Sequence, residues 1–173
     1  MVGESASGAI RTFDTIYAAF KMIAEGRVRH MAASTGATID FAPIDYVAAG
    51  IVALAENMGK ADGGRYHLAA AQPVPVVMFA AAIRAFPQFT APLLVSPHDF
   101  DLAALPPFER TPLFARRGAL QQLFPARSAL RSFRFRAVTG LACPPTGAAY
   151  LNRLIDYCIS VGFLCGGAQA SRS

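Results

Sequence analysis

Residues 38–48 read Thr38-Ile39-Asp40-Phe41-Ala42-Pro43-Ile44-Asp45-Tyr46-Val47-Ala48. Ile39 and Phe41 alternate with Asp40, which predicts a short strand over Thr38 to Ala42. Pro43 fixes its own φ and removes a donor, so pairing stops there. Asp45 offers a side-chain oxygen to the first amides of the next segment, and the spacing predicts a helix from Asp45 to about Met58. That helix would turn Val47, Ile51, Leu54 and Met58 inward, with Gly59 as its stop. A strand passing through a proline turn into an amphipathic helix is the building block of an α/β protein.

The flanking segments extend the pattern. Thr12 is placed to cap a helix running to about Glu25, with Asp14 in its first turn, Phe13, Ile16, Phe20 and Ile23 on one face, and Gly26 just beyond. Downstream, the turn Asp62-Gly63-Gly64 precedes an expected strand, Arg65 to Ala69, and Pro73 precedes a third helix to about Phe86. The second half is less regular. Leu93 to Val95 reads as a short strand, Pro106-Pro107 as a break, Leu113 to Phe124 as a helix weakened by Gly118, and Phe133 to Val138 as extended. Pro144-Pro145-Thr146 opens a last helix with Tyr150, Leu151, Leu154, Ile155 and Cys158 on its apolar face, ended by Gly162. Residues 166–173 are small and polar, a frayed tail.

Composition narrows the class. A chain of 173 residues that is 54% hydrophobic, with mean hydropathy +0.36, can bury a sizeable core and is not expected to be disordered. Its richest apolar stretches, Tyr46 to Ala55 and Val74 to Ile83, fall well short of the roughly 20 apolar residues of a membrane-spanning helix. No basic segment followed by an apolar one opens the chain, so the expected location is cytoplasmic. Cys143, Cys158 and Cys165 form no Cys-x-x-Cys and have no histidine nearby, which reads as buried free thiols and no metal. His67 reads as packed in the strand at 65–69, and His30 and His98 as isolated. No Gly-x-Ser-x-Gly points to a nucleophilic serine.

The net charge of +5 is uneven. Between Phe108 and Arg136 stand Arg110, Arg116, Arg117, Arg127, Arg131, Arg134 and Arg136 against the single acid Glu109. Such a stretch is either a solvated basic face or a contact for a polyanion, such as a phosphate-bearing substrate or an acidic carrier protein. On the second view Arg116, Arg117 and Arg131 are the phosphate or carrier contacts. Nucleic acid is not indicated, because no helix-turn-helix, zinc finger or aromatic-basic strand motif accompanies the charge.

Val2-Gly3-Glu4-Ser5, Gly8, Phe13-Asp14 with Tyr17, the run Ile39 to Ala48, and Tyr66-His67-Leu68 together resemble the C-terminal part of extended short-chain dehydrogenases/reductases. Within them the pattern is most similar to the thioester-reductase and fatty-acyl reductase branch, the male-sterility-type NAD(P)-binding enzymes. Cys143-Pro144-Pro145, Leu154-Ile155-Asp156-Tyr157 and Gly162-Phe163 resemble that branch's ending. The likeness is good over 2 to about 70 and looser over 71–165. It implies an α/β fold corresponding to the C-terminal portion of an extended Rossmann-type reductase, with few strands, several helices and no nucleotide-binding βαβ units. Residues 1–165 would form the substrate-lobe portion, with 71–165 its helical part. The stretch like 2–13 would leave the nucleotide lobe beside the nicotinamide, which places Ser5, Ser7, Thr12 and Phe13 at the cofactor side and substrate mouth. Asp45 would be structural, a helix cap.

The resemblance implies a reductase that delivers hydride from NADP or NAD to an acyl thioester, CoA- or carrier-bound, giving aldehyde or alcohol. Alternatives are a related enzyme for a sugar nucleotide or sterol, and a non-catalytic carrier-docking module. None of the glycines falls in Gly-x-Gly-x-x-Gly or Gly-x-x-Gly-x-x-Gly spacing, so the pyrophosphate turn is not expected within this chain, nor cofactor binding by it alone. Tyr17 and Lys21 have the i, i+4 spacing that this family uses for a proton-donating tyrosine and its lysine. The family match aligns Tyr17 after the catalytic pair, so the two are read as a decoy and no residue here as catalytic. The chain is expected to begin downstream of the chemistry, to be incomplete on its own, and to self-associate through unpaired strand edges.

Overall fold

The computed structural model describes residues 1–34, 36–110 and 132–165. In order they form α1 (Thr15–Ala24), β1 (His30–Ala32), β2 (Thr38–Ile39), α2 (Ile44–Glu56), α3 (Met58–Ala61), β3 (Val74–Pro75), α4 (Val76–Arg84) and β4 (Leu93–Val95). A 3-10 turn (Leu102–Ala104), a helical turn at 107–110, α5 (Phe133–Thr139) and α6 (Ala148–Ser160) complete the order. The mixed α/β class, helix-rich with short strands, agrees with the sequence reading.

The core is a sandwich of α1, α4 and α6. Tyr17, Phe20 and Ile23 of α1, Phe79 and Ile83 of α4, and Tyr150, Leu151, Leu154, Ile155 and Cys158 of α6 are all buried. Phe20 and Phe41 each pack on Phe79, with centroids 5.5 and 6.2 Å away. The face of α6 buries at every expected position, because five apolar residues at 3.6-residue spacing leave a single orientation available. Gly162, at φ +71°, ends it in the left-handed region that favours glycine.

The strands are short and paired across distance. β1 pairs in parallel with β4, His30 opposite Leu93 and Ala32 opposite Val95. β2 pairs antiparallel with β3, Thr38 opposite Pro75 and Ile39 opposite Val74. Val2 and Pro43 form an isolated parallel bridge, the Val2 amide donating to Ala42 O and the Ile44 amide to Val2 O. The expected strand at 93–95 is therefore present, while β1 carries too little alternation in three residues to be read beforehand.

Several local expectations are corrected. The expected strand at 65–69 is not formed: that stretch carries no strand pairing among the described residues, and His67 is exposed rather than packed. Phe133 to Val138 is helical, not extended: the Phe-Arg-Phe-Arg alternation mimics a strand, yet only Phe135 is buried and Gly140 closes the turn at φ +72°. The first helix is preceded by Asp14 rather than capped by Thr12. Gly59 does not stop the second helix; Asn57 does, its side-chain amide donating to Ala53 O, and Gly59 lies inside α3. Ile51 and Met58 face outward, 62% and 60% exposed, because α2 turns Tyr46 and Gly50 onto α5 instead. Of the three free cysteines Cys158 alone is buried; Cys143 is half-buried and Cys165 exposed. The expected helix at 113–124 and the tail at 166–173 lie outside the described residues.

Candidate functional site

The loop from Gly3 to Ile10 is fixed by three helices. The Gly3 amide donates to Tyr17 Oη of α1 at 2.7 Å, and Tyr150 Oη of α6 donates to the Gly3 carbonyl. From α2, Asp45 accepts the Ser5 amide at 3.0 Å and the Ser5 hydroxyl at 2.6 Å. From α6, Arg153 Nε donates to Ser5 O at 3.2 Å and Tyr157 Oη to Ile10 O at 3.2 Å. The loop also closes on itself: Glu4 N to Ala9 O, Gly8 N to Glu4 O, and the Ser7 hydroxyl to Glu4 Oε2 at 2.8 Å. Gly8 has φ +74°, and a Cβ there would stand 2.5 Å from Arg153 O, so the position needs glycine twice over.

Asp45 is thus not the cap of its own helix. Pro43 occupies that place without a side-chain bond, and the Asp45 carboxylate reaches across to the loop. Burial works to raise the Asp45 carboxyl, but hydrogen bonds from the Ser5 hydroxyl and amide, together with the Tyr46 and Asp45 amides, outweigh it and hold it below its ordinary value.

Beside this loop lies an open depression lined by Glu4, Ile10, Arg11, Thr12, Asp14, Ile44 and Tyr157. Of the four residues expected at the mouth, Thr12 lines it. Ser5 and Ser7 hold the loop's shape with their hydroxyls, and Phe13 lies behind, its ring 3.9 Å from that of Phe163 and nearly parallel to it. Tyr157 was not named as a site residue from sequence; its place in the Leu154-Ile155-Asp156-Tyr157 run, at the border of the apolar face of α6, is the signal it gives. The depression offers the exposed Arg11 guanidinium, the hydroxyls of Thr12 and Tyr157 and the carboxylates of Glu4 and Asp14 beside the apolar Ile10 and Ile44, a setting for an extended polar chain.

Tyr17 and Lys21 take different polar partners. The Tyr17 ring is 3% exposed and its oxygen is turned to Gly3; burial pushes the phenol pKa well up despite that amide. Lys21 Nζ lies 3.6 Å from Glu25 and 5.0 Å from the Phe163 centroid, on the outer side of α1. His30 is not isolated but bonds Glu109, and His98 contacts Asp99 at the surface. Among the described residues no group of three or more His, Cys, Asp or Glu side chains could hold a metal. Arg116, Arg117 and Arg131 lie outside the described residues.

A dinucleotide's pyrophosphate takes a glycine-rich turn between strand and helix; α2 and α4, which follow β2 and β3, begin instead behind a proline at the cap, Pro43 and Pro75.

Comparison with known proteins agrees with the resemblance read from the sequence. Residues 1–51 match the NAD-binding family model described as Male sterility protein. The fold is that of a part of solved reductase domains. The terminal R domain from the myxalamid PKS-NRPS biosynthetic pathway superposes with a TM-score of 0.70 at 23% identity, over 95% of this chain and 43% of that one. A thiolation-reductase di-domain from an archaeal non-ribosomal peptide synthetase superposes with a TM-score of 0.63 at 15% identity, over 94% of this chain and 34% of that one. The chain therefore spans less than half the length of either solved relative. No curated protein matches it. None of the described helices is long and apolar enough to cross a membrane.

Proposed function

We propose that this chain is the substrate-side portion of an NAD(P)H-dependent reductase acting on acyl thioesters, carrier-bound or as CoA esters, and giving an aldehyde or alcohol. The observation that carries the proposal is the Gly3–Ile10 loop, fixed from α1, α2 and α6 beside an open depression, in the segment whose sequence matches the NAD-binding family. Such rigidity suits a wall against which a reacting group is positioned, since small displacements there cost rate. On this reading Thr12 and Tyr157, which line the depression, contact the acyl or pantetheine part, and Ser5, Ser7 and Asp45 hold the wall in shape. The nicotinamide, which would supply the hydride, is held by a nucleotide-binding lobe and not by these residues alone.

The test is NADPH oxidation with an acyl-pantetheine thioester, by the chain alone and by the chain joined to a nucleotide-binding lobe of the same reductase class. Turnover is expected only in the second case, and reduced by Tyr157→Ala. Turnover by the chain alone would overturn the division of labour and return Tyr17 and Lys21 to candidacy. No turnover in either case, with both lobes folded, would overturn the thioester reading.

A further inference from the structure

We infer that the surface around Arg29 and Phe108 is a docking site for an acidic carrier domain, the protein that would bring a thioester to the site above; the inference rests on the proposed function. Its foundation is an unusual burial. Glu109 is 0% exposed and accepts the Arg29 amide at 2.9 Å, the His30 amide at 3.1 Å and His30 Nδ1 at 3.1 Å. A buried carboxylate is costly unless donors surround it, and here two backbone amides and an imidazole do. The result is that the helical turn at 107–110 is pinned to β1 from across the sequence.

Pinning Glu109 inward holds its neighbour Phe108 outward, 50% exposed. The Arg29 guanidinium lies 5.2 Å from the Phe108 centroid, and Arg29 Nε is tethered to Gly26 O at 3.2 Å. Leu93, 61% exposed, donates its amide to Arg29 O at 2.7 Å, and Arg27 is exposed two residues away. A restrained arginine stacked on an aromatic, with an aliphatic neighbour, has the composition of an interface anchor and loses little freedom on binding.

Charge selects the partner. The acid of this turn is directed inward, the outward side chains are Arg27 and Arg29, and the whole chain carries +5. The complementary surface is acidic with a small apolar recess for Phe108. One solved relative is a reductase joined to a thiolation domain, which makes a carrier the occupant to test.

The experiment is calorimetric titration of the 173-residue chain with an isolated thiolation domain bearing its phosphopantetheine arm, at low and at physiological salt. Binding is expected to weaken with salt, and Arg29→Glu and Phe108→Ala should each raise Kd about tenfold or more while leaving the melting temperature unchanged. Lys60→Glu, on α3, should not alter Kd. No binding, or equal binding by the Arg29 and Phe108 variants, overturns the docking site. So does a dimer that Phe108→Ala dissolves in sedimentation, which would make a second copy the occupant, or heparin binding that displaces the carrier from both wild type and Phe108→Ala alike. Turnover of a soluble acyl-pantetheine thioester bypasses docking, so its failure speaks to the proposed function and not to this surface.

Discussion

At Tyr17 a single oxygen satisfies a buried amide. The Gly3 N–H has the phenol as its partner, and replacing it with phenylalanine leaves the amide dry and unpaired. Tyr17→Phe is expected to lower stability by about 1–3 kcal/mol in urea unfolding, the usual cost of an orphaned buried donor. Asp45 acts on the same loop from the other side. Because its folded pKa lies below its ordinary value, the stability it contributes is present above the unfolded pKa and is lost as pH falls through the folded one. Melting followed by circular dichroism down an acid series should therefore fall more steeply for wild type than for Asp45→Asn, the two curves converging once the carboxyl is protonated. The residue types at both positions were legible in the sequence, but their partners were not: Ser5 and Asp45 are forty residues apart, and nothing local to either records the contact.

At the scale of elements, α2 has two unlike faces. Gly50 lies against α5, where an added Cβ would stand 2.9 Å from the Phe135 ring, so Gly50→Ala should cost roughly 1–3 kcal/mol by overpacking. Ile51 and Val52, on the other face, are 62% and 55% exposed. Ile51→Lys should change stability by less than about 0.5 kcal/mol and reduce concentration-dependent association in sedimentation velocity. Helix periodicity made both faces look alike from sequence, since Val47, Ile51, Leu54 and Met58 form as good an apolar stripe as the one that is buried. α6 was legible because its other side carries Asn152 and Asp156, both exposed, which leaves no ambiguity. α5 was misread because seven residues are too few for a period of two and a period of 3.6 to separate.

Over the whole molecule, the pieces are joined by contacts of high sequence separation. Glu109 is bonded to Arg29 and His30 about eighty residues away, and β1 pairs with β4 about sixty residues on, His30 opposite Leu93. Glu109→Ala would strand two amides at once, and a loss of roughly 2–5 kcal/mol is expected, read as a lower urea midpoint with an unchanged m-value. The same long connections decide the site. The amino-acid sequence by itself determined the α/β class, the apolar faces of α1 and α6, the turn chemistry at Gly26 and Gly162, and the resemblance to a thioester reductase, because these depend on residue spacing within one element. Only the tertiary structure decided that the phenol of Tyr17 faces Gly3, that Asp45 holds a loop instead of a helix end, that Tyr157 borders the depression, and that Phe108 stands outward on a buried carboxylate. Each of these depends on which surfaces meet when distant elements pack, and burial and hydrogen bonding are properties of that meeting, not of the local sequence.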